Sequence, residues 1–138
     1  VFFFGIHMKF RKFMLRSGTE IHLGKDAESN DELMKKFRGK ENIIIHTVAA
    51  GSPFCVIDNL NPSSQDILAS GIYCARFSKD WKNNKKDVRI SIFTGKDVYK
   101  EKDMEVGTWG VKKARTKTIK KGDIEKLMND VSEDKRKK

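Results

Sequence analysis

The run Ile43-Ile44-Ile45, closed by His46, constrains this chain more than any other segment. Three consecutive β-branched residues leave no polar side, so they predict a central strand covered on both faces. Such a strand needs neighbours in a sheet and an apolar layer above and below. The rest of the chain offers them. Lys9 to Arg16 and Thr19 to Leu23 read as two strands of a hairpin around Ser17-Gly18. In the second, Ile21 and Leu23 face one side while Glu20 and His22 face the other, polar side. Phe54 to Ile57 is a further strand, reached through the small-residue loop Ala49-Ala50-Gly51-Ser52-Pro53. Val88, Ile90 and Ile92 alternate with Arg89 and Ser91, which predicts a half-exposed strand, and Thr116 to Lys120 is a last short one.

Helices are marked by their ends. Gly24 breaks the hairpin strand, and Asp26 can cap a helix over Ala27 to Phe37 with Glu28 in its first turn and Lys35 and Lys36 in its last. Leu33, Met34 and Phe37 form its buried stripe, and Asn30 falls on the same face. A buried asparagine needs partners, so its amide is expected to tie the helix to a neighbouring loop, with a ligand contact as the alternative. Ser63 or Ser64 caps a second helix that runs to about Ser78, with Ile67, Leu68, Ile72, Ala75 and Cys74 toward the core. Trp81 to Lys86 reads as a polar, basic loop. Asp123 to Val131 predicts a last helix through Ile124, Leu127, Met128 and Val131, and Glu133 to Lys138 a disordered tail. The expected fold class is α+β: one domain, a mixed but mostly antiparallel sheet, two main helices and a short C-terminal helix. Residues 1–7 are expected to be a leader, extra N-terminal residues or a strand that joins the sheet, 8–122 the domain, and 123–138 a C-terminal helix and basic tail.

Charge narrows the partner. The chain has 138 residues and a formal net charge of +10. Fourteen basic and six acidic residues between Lys79 and Lys121 place +8 of that surplus in one block. Clustered cations attract phosphates and release counterions on binding, so a polyanion is the expected partner. Cys55 and Cys74 are isolated, with no CxxC or Cys/His grouping, so they are expected in the core, with no metal or cofactor. Val1 to Ile6 is apolar but far short of the roughly 20 residues of a membrane span and lacks a basic leader, so no membrane partner and a cytoplasmic location are expected.

Several of these strings resemble the NFACT-R family, an RNA-binding domain of proteins that act on stalled ribosomes. The resemblance covers roughly Met8 to Lys121. Gly24-Lys25-Asp26 followed by Asn30-Asp31 and Leu33 is similar to the family's glycine turn and its Asn-acid-x-Leu continuation. His46 stands where the family has a strand-closing histidine, and Gly51-Ser52 matches its Gly-Ser pair. Ala75, Ser78 and Lys79 resemble the end of its second helix, and Gly107 with Gly110-Val111-Lys112-Lys113 its late glycine and basic strand. The family strand usually reads Asp-x-Trp-x-His, whereas this chain has Asn42, Ile44 and His46. Pro53 and Phe54 follow the Gly-Ser pair where the family commonly has histidine, and this Gly-Ser-Pro-Phe string is similar to its short, stand-alone archaeal branch.

The resemblance implies RNA binding, to tRNA or rRNA, in translation or ribosome quality control. Physical chemistry suggests the residues. Gly24-Lys25 before a helix N-terminus and the Gly51-Ser52 loop are places where backbone N–H groups and cations could cradle a phosphate. Planar groups stack on bases; Trp81, Phe77 and Tyr73 lie in or beside the basic loop. Trp109 is expected to be exposed because glycines flank it. Together with these, Asn30, His46, Arg76, Lys79, Lys85, Lys86, Arg89, Lys112, Lys113 and Arg115 complete the candidate RNA-contacting set. Of the three histidines, His7 lies in the leader and His22 on a polar strand face. His46 alone occupies a plausible site, beside Cys55 or Ser52 as an imagined nucleophile. No third orienting group accompanies either pair, so a structural His46 and a non-catalytic module are expected. An accessory subunit of a tRNA-modification system, or an enzyme centred on His46 or Cys55, are the alternatives.

Overall fold

Ile43 to Ile45 become the centre of the molecule because neighbouring residues of a strand point to opposite faces. The structure, a computed structural model, describes residues 10–137, with side chains described for 10–130. The leader or extra strand expected at 1–7, with His7, lies outside the described residues, as does the side chain of Val131. The elements are β1 (Phe10–Met14), β2 (Glu20–Gly24), α1 (Ala27–Phe37), β3 (Ile43–Thr47), β4 (Cys55–Ile57), α2 (Ser64–Arg76), α3 (Lys79–Asn84), β5 (Val88–Thr94), β6 (Val98–Tyr99), β7 (Gly110–Val111), β8 (Arg115–Ile119) and α4 (Lys121–Lys137).

Six strands form one antiparallel sheet in the order β1-β2-β4-β3-β5-β8, and β6 pairs with β7 in a separate two-stranded ribbon. The fold is therefore α+β, as expected. The register sorts the side chains. Ile21, Leu23, Ile45, Cys55, Ile57, Val88, Ile90, Ile92 and Ile119 face a first core with Cys74, Ala75, Trp81 and Ile124 from the helical side. Ile44, Val56 and Phe93 face a second core with Leu33, Met34 and Phe37 of α1, plus Val98 and Trp109 from the ribbon region. The isoleucine run is thus covered on both sides, as the sequence predicts. Each fully buried isoleucine contributes about 1.5–3 kcal/mol relative to exposure.

The helix ends follow capping chemistry. Asp26 accepts from the Ser29 backbone N–H while Ser29 Oγ bonds back, closing a capping box on α1. Ser63 and Asp66 do the same for α2. Asp66 also receives Ser17 Oγ at 2.7 Å and Thr19 Oγ1 at 3.2 Å, which fastens the β1–β2 turn to α2. The face α2 turns to the sheet is smaller than its apolar pattern implies. Ser70, Gly71, Cys74 and Ala75 are buried, whereas Ile67, Leu68 and Ile72 are half-buried at the flanks. Small residues let the helix axis approach closely.

Four local expectations are corrected. Lys79 to Asn84 is a helix rather than a loop, because Ser78 accepts from the Trp81 N–H and Lys85 ends the turn in the left-handed region. The chain is helical through Lys137, where a disordered tail was expected. His22 is buried rather than on a polar surface: Phe10 stacks on its ring and Phe37 meets its edge. The glycine-punctuated stretch after β5 forms the β6–β7 ribbon, which closes the second core.

No described helix is long and apolar enough to cross a membrane. The close seat of α2 is directly testable. A Cβ at Gly71 would stand 2.7 Å from Ile90 Cδ1 and 3.0 Å from Ile119 Cδ1. Gly71→Val is expected to cost about 1–3 kcal/mol by overpacking, read as a lowered midpoint in urea denaturation.

Candidate nucleic-acid interface

The ends of β2 and β3, the loop before β4 and the start of α1 meet at one end of the sheet. A buried amide holds the junction. Asn30 Oδ1 accepts from the Phe54 N–H at 3.0 Å, and the Phe54 carbonyl in turn accepts from the Gly24 N–H at 3.2 Å. Gly24 has to lack a Cβ, since one would overlap the Asn30 carboxamide. Asn30 therefore acts as the expected tie between helix and loop.

A cleft of about 790 Å³ opens around this junction. Its lining brings together Lys25, Asn30, His46, Gly51, Ser52 and Lys79 from the candidate set, together with Arg11, Phe77 and Lys82. The cations of the lining are Arg11, Lys25, Lys79 and Lys82, and its carboxylates are Asp26 and Glu105. The far wall is the segment from Glu105 to Trp109, with Val111 and Ala114.

That wall is tied by Asp31 and by Lys100, whose Nζ donates to the Glu105 and Thr108 carbonyls at 2.6 Å each. Asp31 Oδ1 accepts from the Gly107 N–H at 2.8 Å and from Trp109 Nε1 at 2.8 Å, and Lys100 Nζ stands 3.5 Å away. Gly107 adopts φ +84° and leaves no room for a Cβ against Ala27. Burial pushes the Asp31 carboxyl up, but the Trp109 and Gly107 donors and the Lys100 ammonium outweigh it and hold the group below the usual carboxylate range. Trp109 is thus 9% exposed and sits in the second core, not in solvent. Flanking glycines seat the ring instead of freeing it: they bring the chain against α1 and under Tyr99.

The other planar candidates are also occupied. Trp81 is 3% exposed in the first core, and Lys85 Nζ lies 5.1 Å over its ring. Phe77 carries the Arg11 and Arg76 guanidiniums at 4.2 and 4.3 Å from its centroid, and Tyr73 stacks on Phe13 at 4.6 Å. None of the proposed stacking residues presents an uncovered ring.

Polar groups at the glycine turns are likewise committed. The Lys25 and Asp26 N–H groups both donate to Ser29 Oγ, so the backbone cradle expected at Gly24-Lys25 is already filled. Ser52 Oγ accepts from the Thr47 N–H, and the Gly51 carbonyl accepts from the Lys79 N–H. His46 is half-buried, meets the Phe54 ring at a tilt with centroids 4.5 Å apart and places Nδ1 2.8 Å from the Thr47 carbonyl. Burial lowers its pKa, so the ring is uncharged at neutral pH. The strand-end role expected of it is the one observed.

The Cys55–His46 pair does not assemble. Cys55 faces the first core, paired with Ile45, while His46 lies on the opposite face of the sheet. Burial raises the Cys55 thiol well above its ordinary value and pushes Cys74 up to about 12, so both are protonated thiols. Glu20, His22 and Asp58 bring donor atoms together. Their geometry is that of a hydrogen bond, with His22 Nε2 2.7 Å from Glu20 Oε1, and His22 Nδ1 has no acceptor among the described residues to orient it as a metal ligand.

The remaining cations lie outside the lining of the cleft. Lys112, Lys113 and Arg115 are exposed on either side of the lining residue Ala114. Lys85 and Lys86 are exposed at the end of α3, and Arg89 is exposed on β5, donating to Thr116 Oγ1 at 2.8 Å. Arg11, Lys82 and Asp31 had no place in the candidate set. Arg11 reaches Phe77 only through the tertiary fold, across 66 residues of chain.

Known proteins resemble this chain in sequence and in fold. A family model described as "NFACT protein RNA binding domain" matches residues 9–113. The chain is also similar to a solved structure described as the C-terminal of the fibronectin/fibrinogen-binding protein from Streptococcus suis, with a TM-score of 0.74 and 25% identity. That likeness covers 82% of this chain and 45% of the other, so this chain spans less than half of it. No curated protein matches the chain.

The wall anchored on Asp31 predicts an acid-labile latch. Its depressed pKa means stability is fully present above the unfolded value near ~3.9 and is lost as pH falls through the lower folded value. Asp31→Ala is expected to lower stability by about 1–3 kcal/mol and to shift tryptophan emission to the red at neutral pH as Trp109 loses its partner. Emission identical to wild type would contradict the latch.

Proposed function

The chain belongs to the NFACT RNA-binding domain family, and from that premise we propose that it is a non-catalytic module that binds RNA through the cleft and its basic rim. The observation that carries this reading is the convergence of Lys25, Gly51-Ser52 and Lys79, three stretches far apart in sequence, on one cleft within the matched residues. Arg11 and Lys82 add charge there, and Lys112, Lys113 and Arg115 extend it past Ala114. The protonated, buried thiols and the separation of Cys55 from His46 support a binding role over catalysis.

With no uncovered aromatic among the stacking candidates, affinity rests on phosphates and shape rather than on base stacking. Such a surface suits a folded RNA with a dense backbone, and we infer tRNA or rRNA as the target, in translation or ribosome quality control in the cytoplasm.

Two outcomes test the reading. Reversing charge at Lys112, Lys113 and Arg115 together should weaken tRNA binding by about tenfold or more in a gel shift at low salt, with an unchanged melting curve; full affinity in the folded variant would remove this rim from the interface. His46→Ala should lower stability or RNA affinity through loss of the Phe54 ring contact and the strand-end hydrogen bond. A variant that binds RNA normally but loses an RNA-processing activity of the wild type would overturn the non-catalytic reading.

A further inference from the structure

Two arginines meet on one ring at the edge of the cleft. Arg11 leaves β1 on the face of the first core, and Arg76 leaves the last turn of α2. Both guanidiniums lie over Phe77, at 4.2 and 4.3 Å from its centroid. Phe77 is itself fixed by Phe13, whose ring stacks at 6.0 Å. Arg11 Nη1 also donates to the Gly24 carbonyl at 3.0 Å, which ties it to the turn at the base of the cleft.

The arrangement is costly without an anion. Burial and the neighbouring charge of Arg76 both depress the Arg11 pKa, and Asp26 offsets this only in part. No described carboxylate forms an ion pair with either guanidinium. The quadrupole of the ring attracts each guanidinium, and both residues are half-buried. Rigid guanidinium forks with open N–H edges are the donors that suit phosphate oxygens in bidentate geometry. Lys79 and Lys82 follow directly after the same junction and line the same cleft.

We propose that Arg11 and Arg76, braced on Phe77, form a phosphate clamp at the edge of the cleft, taking one phosphate group of a bound nucleic acid. The inference rests on the reading that the cleft holds RNA and adds to it a defined anchoring point. The clamp fixes the strand's position and carries no base information. The phosphate is a terminal monoester or an internal diester; the chemistry is shared.

Arg76→Ala is the informative variant, since Arg76 lies over the ring and its removal leaves the Arg11–Gly24 bond in place. Lys126→Ala, on the exposed side of α4, removes the same charge outside the cleft and serves as its control. The full chain is titrated with tRNA and with one single-stranded RNA bearing either a 5′ phosphate or a 5′ hydroxyl, over a range of salt. Arg76→Ala is expected to lose about tenfold in affinity and to flatten the plot of log affinity against log salt by about 0.7 per lost phosphate contact, while Lys126→Ala changes neither. A loss confined to the 5′-phosphorylated RNA assigns the clamp to a terminal phosphate, and an equal loss on both assigns it to the backbone. An Arg11→Lys, Arg76→Lys double variant keeps the charge and loses the forks; it should retain the salt slope and still bind more weakly. Inorganic tripolyphosphate gives a readout independent of RNA: it should raise the melting temperature of wild type and Lys126→Ala more than that of Arg76→Ala. Equal affinity, slope and tripolyphosphate shift in wild type and folded Arg76→Ala would overturn the clamp. Wild type that binds no RNA, yet shows the Arg76-dependent tripolyphosphate shift, would overturn the RNA reading and keep the clamp.

Discussion

The carboxamide of Asn30 is the point on which the rest of the structure leans. It sits at the second turn of α1 and satisfies the backbone N–H of Phe54, a group that no strand partner reaches. The Phe54 carbonyl closes the end of β2 through Gly24. One side chain thus joins a helix, a strand end and the loop that precedes β4, and leaving that N–H unpaired inside the protein would cost about 1–3 kcal/mol. The tie also explains the glycine at 24, where any side chain would displace the amide. Once the junction is set, the cleft has a floor, and the elements on either side become its walls.

The walls differ in kind. On one side cations are braced by packing: guanidiniums rest on Phe77, and Lys79 begins a short helix whose first N–H is held by Gly51. On the other side, the segment carrying Gly107 and Trp109 is held by the Asp31 carboxylate and by Lys100, which donates to the Glu105 and Thr108 carbonyls. The first wall is part of the sheet and its helices. The second owes its position to these two side chains. One wall therefore carries fixed positive charge and the other is a tethered, partly acidic segment, with Glu105 in the cleft lining. His46, uncharged at neutral pH, supplies shape between them rather than charge.

Much of this was legible along the chain. Asp26 and Ser63 announce their helices because a cap is a local event: a side chain two or three residues from the N–H it satisfies. The isoleucine run states that both faces of β3 are covered, and the buried Asn30 states that it has a backbone partner. The aromatic residues were less legible. Trp109, between two glycines, reads as exposed from composition, yet the glycines permit the close approach that buries it. Trp81 and Lys82, in a string of lysines and asparagines, read as loop, yet Ser78 and the apolar pocket for the indole make a helix there. His22 reads as polar by alternation and is buried between two phenylalanines that come from β1 and α1. For Trp109 and His22 the deciding neighbours are distant in sequence.

The sequence by itself determined the fold class, the starts of the two main helices, the covered faces of β3 and the surplus of positive charge, because each depends on composition or on spacing between residues a few positions apart. Only the tertiary structure decided which of those charges share a surface. Arg11 and Arg76 meet on Phe77, and Asp31 meets Trp109, through contacts that close loops of more than sixty residues. No local period encodes such pairs, since they are set by the order of strands in the sheet and by which face each helix covers.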